Sequence, residues 1–229
     1  MRTKAIIFGS LGALYETGDI ERRAFNAAFQ ESGLDWKWDV DLYRDLKANT
    51  APGQLISSFA EDRGLVLDCA AILARKSDHY HALLASERLL PRPGVLSVIS
   101  AASAAAVPLG LATTDAEGAV STVLKAPNSF LCERLFAFVG SANMVSQDKP
   151  SPEIYALALS RLGVSDQEAV VIEDTAEGVR AAALLKIRTL AYPGRYASGD
   201  FSPAEAQVTR LSLDAIGLGC QMRDFALAG

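Results

Sequence analysis

The chain has 229 residues, of which 50% are hydrophobic and 21% are charged, a composition typical of a globular protein that can bury a sizeable core. Its net charge of -5 argues against a nucleic-acid partner or an anionic membrane surface and favours small-molecule chemistry. No apolar run approaches the roughly 20 residues of a membrane span. Cys69, Cys132 and Cys220 are far apart, so we expect neither disulfides nor a zinc site, and a reduced, cytoplasmic compartment.

The first predicted element is a buried strand over residues 4–8, since Lys-Ala-Ile-Ile-Phe is a short, mostly apolar run. Arg2 and Lys4 before apolar residues also resemble the start of a signal peptide, but no small-residue cleavage site follows. After the strand, Gly9 and Gly12 lie in a loop of a kind that can cradle a phosphate. The spacing lacks the third glycine of a dinucleotide-binding fingerprint, so this signal is weak.

A block of helices is predicted next. The helices are expected over residues 19–31, 42–46, 55–62 and 68–87. In the first, apolar residues recur at spacings of three and four, and Asp68 is a good N-cap for the last. His79 and His81 are two residues apart, so they do not share a helix face and make a poor metal pair. Because no strand signal interrupts the block, we predict an inserted helical cap domain at residues 16–90.

From Pro91 onward, strands alternate with helices. Strands are expected over residues 109–113, 136–139, 169–172 and 188–192, with a further short strand near Val208. Helices are expected over residues 95–105 and 116–125, from Ser151 to Gly163, and after the strand at 169–172. This alternation predicts βαβ units and a parallel sheet. The predicted fold is therefore α/β, a Rossmann-like three-layer core from residues 1–15 and 91–229 that carries the cap.

Glu173 and Asp174 stand where a predicted strand gives way to a helix. Open α/β sheets bind ligands outside the carboxyl ends of their strands, so this acidic pair is a candidate site. The structural alternative is that Asp174 caps the helix, with Glu177 three residues on completing a capping box. Lys149, one helix upstream, favours the functional interpretation.

Four features lie in a fixed order along the chain. They are the first strand with its helical insertion, Leu-Ala-Thr113-Thr114 at a strand end, Lys149-Pro-Ser-Pro before a helix, and Val-Val-Ile-Glu173-Asp174. This order resembles the haloacid dehalogenase-like (HAD) hydrolase superfamily, in its β-phosphoglucomutase-like branch with a helical cap. Within that branch, residues 22–29 and 33–40 are similar to the CbbY-type sugar-bisphosphate phosphatases.

The resemblance implies phosphoryl transfer from a sugar phosphate through an aspartyl-phosphate, with Mg²⁺. It assigns Thr113 to hydrogen-bonding the transferred phosphoryl group and Lys149 to neutralising its charge. It assigns Glu173 and Asp174 to holding magnesium, directly or through water. These roles suit the chemistry, since magnesium prefers oxygen ligands and phosphoryl transfer depends on positioning and charge neutralisation. Taken singly, Thr113 also fits an ordinary strand end and Lys149 a surface charge.

Three further residues are candidates for substrate binding. Thr114 and Asp115 follow the phosphate-binding threonine, and Glu16 matches the acid of the hinge between core and cap. Asp115 is also well placed to be the N-cap of the helix predicted over residues 116–125. The local pattern favours that capping role.

The opening motif of the family, Asp-x-Asp-Gly-Thr, is altered in this chain. Gly9 stands at the position of the nucleophilic aspartate, Leu11 at that of the general acid/base, and Ala13 replaces the threonine. A hydrogen atom and an isobutyl group cannot supply this chemistry, so we expect a rate loss of several orders of magnitude. Ser10 is adjacent, but alternation of side chains along a strand predicts that it points away from the phosphate position.

Two other positions depart from the family pattern. Where CbbY-like caps carry Gly-Gly-Lys-Glu-Arg, residues 50–54 read Thr-Ala-Pro-Gly-Gln, so both positive charges are absent. Lys186 occupies a position where relatives place the glycine that ends a helix. Substrate-facing positions have therefore changed while the core pattern persists.

Three functional hypotheses follow. The first is a catalytically impaired HAD-like protein that retains binding of a phosphorylated metabolite or another anion, or acts through protein contacts. The second is an active magnesium-dependent phosphatase with a non-standard nucleophile. The third is a nucleotide-binding module that uses the loop from Gly9 to Gly12. None of them involves nucleic acid or a membrane, and the sequence does not indicate an oligomeric state.

Overall fold

The computed structural model describes residues 3–50, 53–125 and 129–219. Its centre is a six-stranded sheet in the order β3-β2-β1-β4-β5-β6, and every paired strand is parallel to its neighbour. The strands are β1 (Ala5–Phe8), β2 (Leu109–Ala112), β3 (Phe138–Gly140), β4 (Ala169–Glu173), β5 (Arg188–Ala191) and β6 (Ala206–Gln207). The α/β fold predicted from the sequence is confirmed.

Strand β1 lies in the middle of the sheet because every one of its side chains is apolar and buried. Its side chains alternate between faces, so Ile6 and Phe8 enter one hydrophobic cluster while Ala5 and Ile7 enter another on the opposite face. One hydrophobic cluster lies on each face of the sheet, which gives the predicted three-layer arrangement. Because β1 pairs with both β2 and β4, the residues that follow these three strands meet at one edge.

Helices cover the sheet and form the cap. They are α1 (Leu11–Leu14), α2 (Gly18–Glu31), α3 (Val40–Asn49), α4 (Leu55–Glu61), α5 (Cys69–Ser86), α6 (Val95–Ala104), α7 (Glu117–Lys125), α8 (Glu153–Leu162) and α9 (Ala176–Leu184). Asp68 caps α5 as predicted, since its side chain accepts from the Ala71 N–H at 3.0 Å. Gly163 ends α8 in the left-handed conformation with φ 67°.

The cap helices α2 to α5 surround a cluster of buried aromatic side chains. The cluster contains Phe25, Phe29, Trp38, Tyr43 and Phe59, and Tyr196 joins it from the core. The two segments that connect the core to the cap lie next to each other. They are joined by an antiparallel bridge between Tyr15 and Pro91. The division at residues 16–90 stays a prediction, since Ile20 and Leu84 pack in the core cluster beneath the sheet.

Element boundaries differ slightly from the sequence prediction. Strand β3 begins at Phe138 instead of residue 136, because a 3₁₀ turn over Glu133–Leu135 ends at Phe136. The short strand expected near Val208 is β6, two residues earlier. Cys69 and Cys132 are free thiols, and Cys220 lies outside the described residues. Within the described ranges, no helix combines the length and apolar character needed to cross a membrane.

Lys186 offers a test of backbone strain. It follows α9 with φ 58°, in the left-handed region that favours glycine. We predict that Lys186→Gly raises the free energy of unfolding, measured by urea denaturation, by about 1 kcal/mol because a left-handed residue with a Cβ is strained. The control is Lys37→Gly, at a position outside the left-handed region, which should gain nothing. An equal loss in both variants would contradict this account.

Candidate functional site

The predicted site residues meet at the carboxyl edge of the sheet. Thr113 follows β2, Asp174 follows β4, and Lys149 reaches in from the loop before α8. A cleft of about 370 Å³ opens above them, between the core and the cap. Its lining includes Ser10, Gly12, Glu21, Lys47, Lys76, Tyr80, His81, Asp115 and Asp174. Of the site residues that the sequence predicts, Asp115 and Asp174 line this cleft, whereas Thr113, Lys149 and Glu173 are not among its lining residues.

Glu173 is fully buried and its carboxylate is saturated by hydrogen bonds. Oε1 accepts from Lys149 Nζ at 2.5 Å and from the Tyr155 hydroxyl, and Oε2 accepts from the N–H and hydroxyl of Thr175 at 3.2 and 3.1 Å. Lys149 is only 7% exposed and also donates to the Gly9 carbonyl. Burial and the Glu173 charge raise the pKa of Tyr155, so the phenol stays protonated and donates.

Glycines make the room for these carboxylates. A Cβ on Gly9 would overlap Glu173 Oε1 and the Tyr155 hydroxyl, and one on Gly178 would overlap the same carboxylate. A Cβ on Gly12 would overlap Asp174 Oδ2. The space that the Cβ atom of the family's nucleophilic aspartate would need is therefore filled by Glu173 and Tyr155.

Asp174 is the second acidic residue of the site, and its carboxylate accepts a hydrogen bond from the Ser10 hydroxyl. Burial and the adjacent Glu173 raise the pKa of Asp174 to about 6, although the hydrogen bond from the Ser10 hydroxyl and the charge of Arg92 act in the opposite direction. The prediction that Ser10 points away from the site is wrong, because β1 ends at Phe8 and Ser10 is already the N-cap of α1. The interpretation of Asp174 as a helix cap is also wrong, since Thr175 caps α9.

Leu11 and Asp115 are arranged differently from the sequence prediction. The Leu11 side chain is 1% exposed and packs in the hydrophobic core, so the acid/base position does not face the cleft. Asp115 Oδ2 instead accepts from the Leu11 N–H at 3.2 Å and from the Thr113 hydroxyl at 2.6 Å. Asp115 is therefore not the N-cap of α7, which begins at Glu117.

Glu16 and Thr114 lie at the margins of this group. Glu16 Oε2 accepts from the Arg195 N–H at 3.3 Å and lies 3.9 Å from Arg92 Nε, in a side pocket of about 130 Å³ shared with Asp174. Thr114 is half-buried between Thr113 and Asp115. Their substrate-binding roles stay predictions.

The cap side of the cleft carries a charged group that the sequence reasoning missed. Glu21 accepts from Lys76 at 2.7 Å, from the Tyr43 hydroxyl at 2.7 Å and from Lys47 at 3.4 Å. Burial opposes ionisation of Glu21, but the two ammonium groups prevail and lower its pKa. The sequence contains one local signal for the cap side of the cleft. Lys76 and Tyr80, which both line it, are four residues apart and therefore share a helix face.

The donor set does not fit magnesium. Within the ranges that the structure describes, no three His, Cys, Asp or Glu side chains are grouped so that they could hold a metal ion. Both oxygens of Glu173 are already engaged by protein donors, and Gly9 contributes no carboxylate. Mg²⁺ keeps several waters and binds proteins through one or two carboxylates. Since Glu173 is engaged and Asp174 accepts from Ser10, the residues present form a poor site for it.

Comparison with known proteins settles the family. A profile of the haloacid dehalogenase-like hydrolases matches residues 3–185. The chain belongs to this family of HAD-like hydrolases. It is similar to CbbY of Cereibacter sphaeroides, with 35% identity over 196 residues that cover 84% of this chain and 85% of the relative. CbbY of Rhodobacter capsulatus is 32% identical, over 94% of this chain and 96% of its own.

A solved structure agrees with this assignment. CbbY from Rhodobacter sphaeroides in complex with phosphate has a TM-score of 0.77 and 33% identity, covering 95% of this chain and 96% of that chain. The same protein has been solved, as a mutant, with xylulose-(1,5)bisphosphate. The HAD-like fold and the resemblance to CbbY are therefore confirmed.

The buried ion pair leads to a prediction about stability. Lys149→Met would leave the Glu173 charge buried without its cation, so we expect the free energy of unfolding to fall by about 3–5 kcal/mol in urea denaturation. Lys149→Met with Glu173→Gln removes both charges and should recover much of that loss. The matched control is Lys4→Met, which breaks an exposed pair with Glu168 of the same 2.5 Å length and should cost far less. Equal losses for Lys149→Met and Lys4→Met would contradict the assignment.

Proposed function

We propose that this HAD-like protein binds a phosphorylated small molecule or related anion in the cleft between core and cap, and that it has lost phosphoryl transfer. The observation that carries the proposal is the state of position 9. Gly9 has no side chain, and the adjoining space holds Glu173 and Tyr155. A covalent phosphoryl intermediate at this position has no atom on which to form.

The second catalytic position supports the same conclusion. Leu11 packs into the hydrophobic core, so no acid/base group projects from residue 11 toward a ligand. Enzymes that lose a nucleophile together with its proton-transfer partner typically lose several orders of magnitude in rate. HAD-like hydrolases generally use Mg²⁺, but the proposal requires no metal here because the carboxylates are engaged by protein donors.

Ligand binding is supported by the relatives and by the cap. CbbY from Rhodobacter sphaeroides has been solved with phosphate and with a sugar bisphosphate. The cleft of this chain, at about 370 Å³, has the size of a small-molecule site. Lys47 and Lys76 line its cap side and supply two positive charges against the one negative charge of Glu21 there, whereas Asp115 and Asp174 line the core side. These lysines are the groups best placed to attract an anion.

The loop from Gly9 to Gly12 is poorly suited to a nucleotide. The space beside Gly9 holds the Glu173 carboxylate, and the space beside Gly12 holds that of Asp174. A diphosphate placed there would face two negative charges instead of free backbone N–H groups. This arrangement argues against the loop as a phosphate-binding site and therefore against the nucleotide-binding module.

A second candidate function is favoured by one contact. The Ser10 hydroxyl donates to Asp174, whose pKa of about 6 suits a general base near neutral pH. Ser10 would then be the nucleophile of a phosphatase that does not use position 9. In this case Ser10→Ala would abolish turnover while leaving ligand affinity unchanged.

The test combines turnover and affinity. Wild type is assayed against a panel of sugar phosphates with Mg²⁺, and affinities are measured by calorimetry. We expect no turnover above background. We also expect Lys76→Met to weaken sugar-phosphate binding by about tenfold or more, the loss of one charge-assisted hydrogen bond. Lys37→Met removes an exposed lysine of the cap and should change nothing.

Three results would count against the proposal. Turnover that disappears in Ser10→Ala would replace it with the serine-based phosphatase. If no sugar phosphate in the panel shows saturable binding, the assigned ligand class is wrong. The same holds if wild type and Lys76→Met bind sugar phosphates with equal affinity. Thermal melting of each variant shows whether the loss of a partner for Glu21 has unfolded the cap.

A further inference from the structure

The floor of the cleft contains a place built to hold a negatively charged oxygen. The Leu11 N–H, at the first residue of α1, and the Thr113 hydroxyl, just after β2, converge on a single point. Thr113 is the residue that the family resemblance assigns to the transferred phosphoryl group. The atom found at that point is Asp115 Oδ2, at 3.2 Å from the nitrogen and 2.6 Å from the hydroxyl oxygen.

Asp115 is held in this position by further contacts. Its own N–H donates to Thr113 Oγ1 at 2.9 Å, which closes a tight turn in which the Thr113 hydroxyl accepts from the backbone N–H two residues on. Its carbonyl accepts from the Ala142 N–H at 3.1 Å, which fixes the backbone against the turn that follows β3. Thr113 is 1% exposed, so its hydroxyl bonds within the protein and not with water. The carboxylate is therefore part of the folded floor.

We propose that the Asp115 carboxylate is a built-in occupant of the phosphoryl position and the residue that keeps a phosphate group off the core side of the cleft. A phosphate oxygen and a carboxylate oxygen accept the same hydrogen bonds, so the two cannot share the Leu11 N–H and the Thr113 hydroxyl. The negative charge of Asp115 would also repel a phosphate that approached its edge.

If Asp115 occupies this position, a bound ligand can lie in the cleft in only one orientation. This orientation rests on the proposed function, which supplies the ligand. The phosphate of a bound molecule faces Lys47 and Lys76 on the cap, where the positive charges line the cleft. The end that faces Asp115 and Asp174 must donate hydrogen bonds, as hydroxyl groups do. The ligand class is therefore the monophosphate of a polyhydroxylated small molecule.

The experiment measures binding of inorganic phosphate by calorimetry. We expect Asp115→Ala, which removes the carboxylate and frees both donors, to bind phosphate at least about tenfold more tightly than wild type. Adding Thr113→Val to that variant should return the affinity to the wild-type value, because it removes one of the two donors. The control Asp35→Asn removes an exposed cap charge and should leave the affinity unchanged. If Asp115→Ala does not fold, Asp115→Ser makes the same comparison with another short neutral side chain.

Equal phosphate affinities in wild type and Asp115→Ala, including no binding by either, would overturn the proposal. A gain that persists after Thr113→Val would overturn it too, since the phosphate would then be bound elsewhere. Inorganic phosphate reports on the core floor alone. A protein that binds no sugar phosphate therefore refutes the proposed function without altering this comparison.

Discussion

The arrangement of the cleft depends on one buried ion pair. Lys149 lies 2.5 Å from a fully buried Glu173, which also accepts hydrogen bonds from Tyr155 and Thr175. A buried carboxylate without a cation lowers the free energy of unfolding, so Lys149 stabilises the fold whether or not a ligand is bound. Because its ammonium group also bonds to the Gly9 carbonyl, the same contact fixes the end of β1.

The altered first motif and the closed floor are two aspects of one arrangement. Gly9 leaves the space in which Glu173 and Tyr155 meet, and Gly12 leaves space for Asp174. Leu11, in place of an acid, packs in the core and presents its N–H to Asp115. Positions 9 and 11, where the family motif carries its aspartates, therefore each take part in an internal hydrogen bond. In the proposed function, the cap with Lys47 and Lys76 is the side that binds the anion.

The sequence predicts the fold well because parallel strands give continuous apolar runs and helix caps are local signals. Asp68 and Gly163 end their helices as predicted. It predicts the site less well because contacts across the cleft are not local. Nothing in the pattern around Asp115 shows that its carboxylate meets the Leu11 N–H, 104 residues away in sequence. The prediction for Ser10 is wrong because the alternation of side chains along a strand stops at the end of β1 at Phe8.

The most direct test of a self-satisfied floor is a crystal structure grown at neutral pH with inorganic phosphate and Mg²⁺. The account predicts that Asp115 remains on the Leu11 N–H and the Thr113 hydroxyl, and that Lys149 remains between Gly9 and Glu173. Density for phosphate at Thr113 with Asp115 turned away, or for magnesium bound by Glu173 and Asp174, would contradict it.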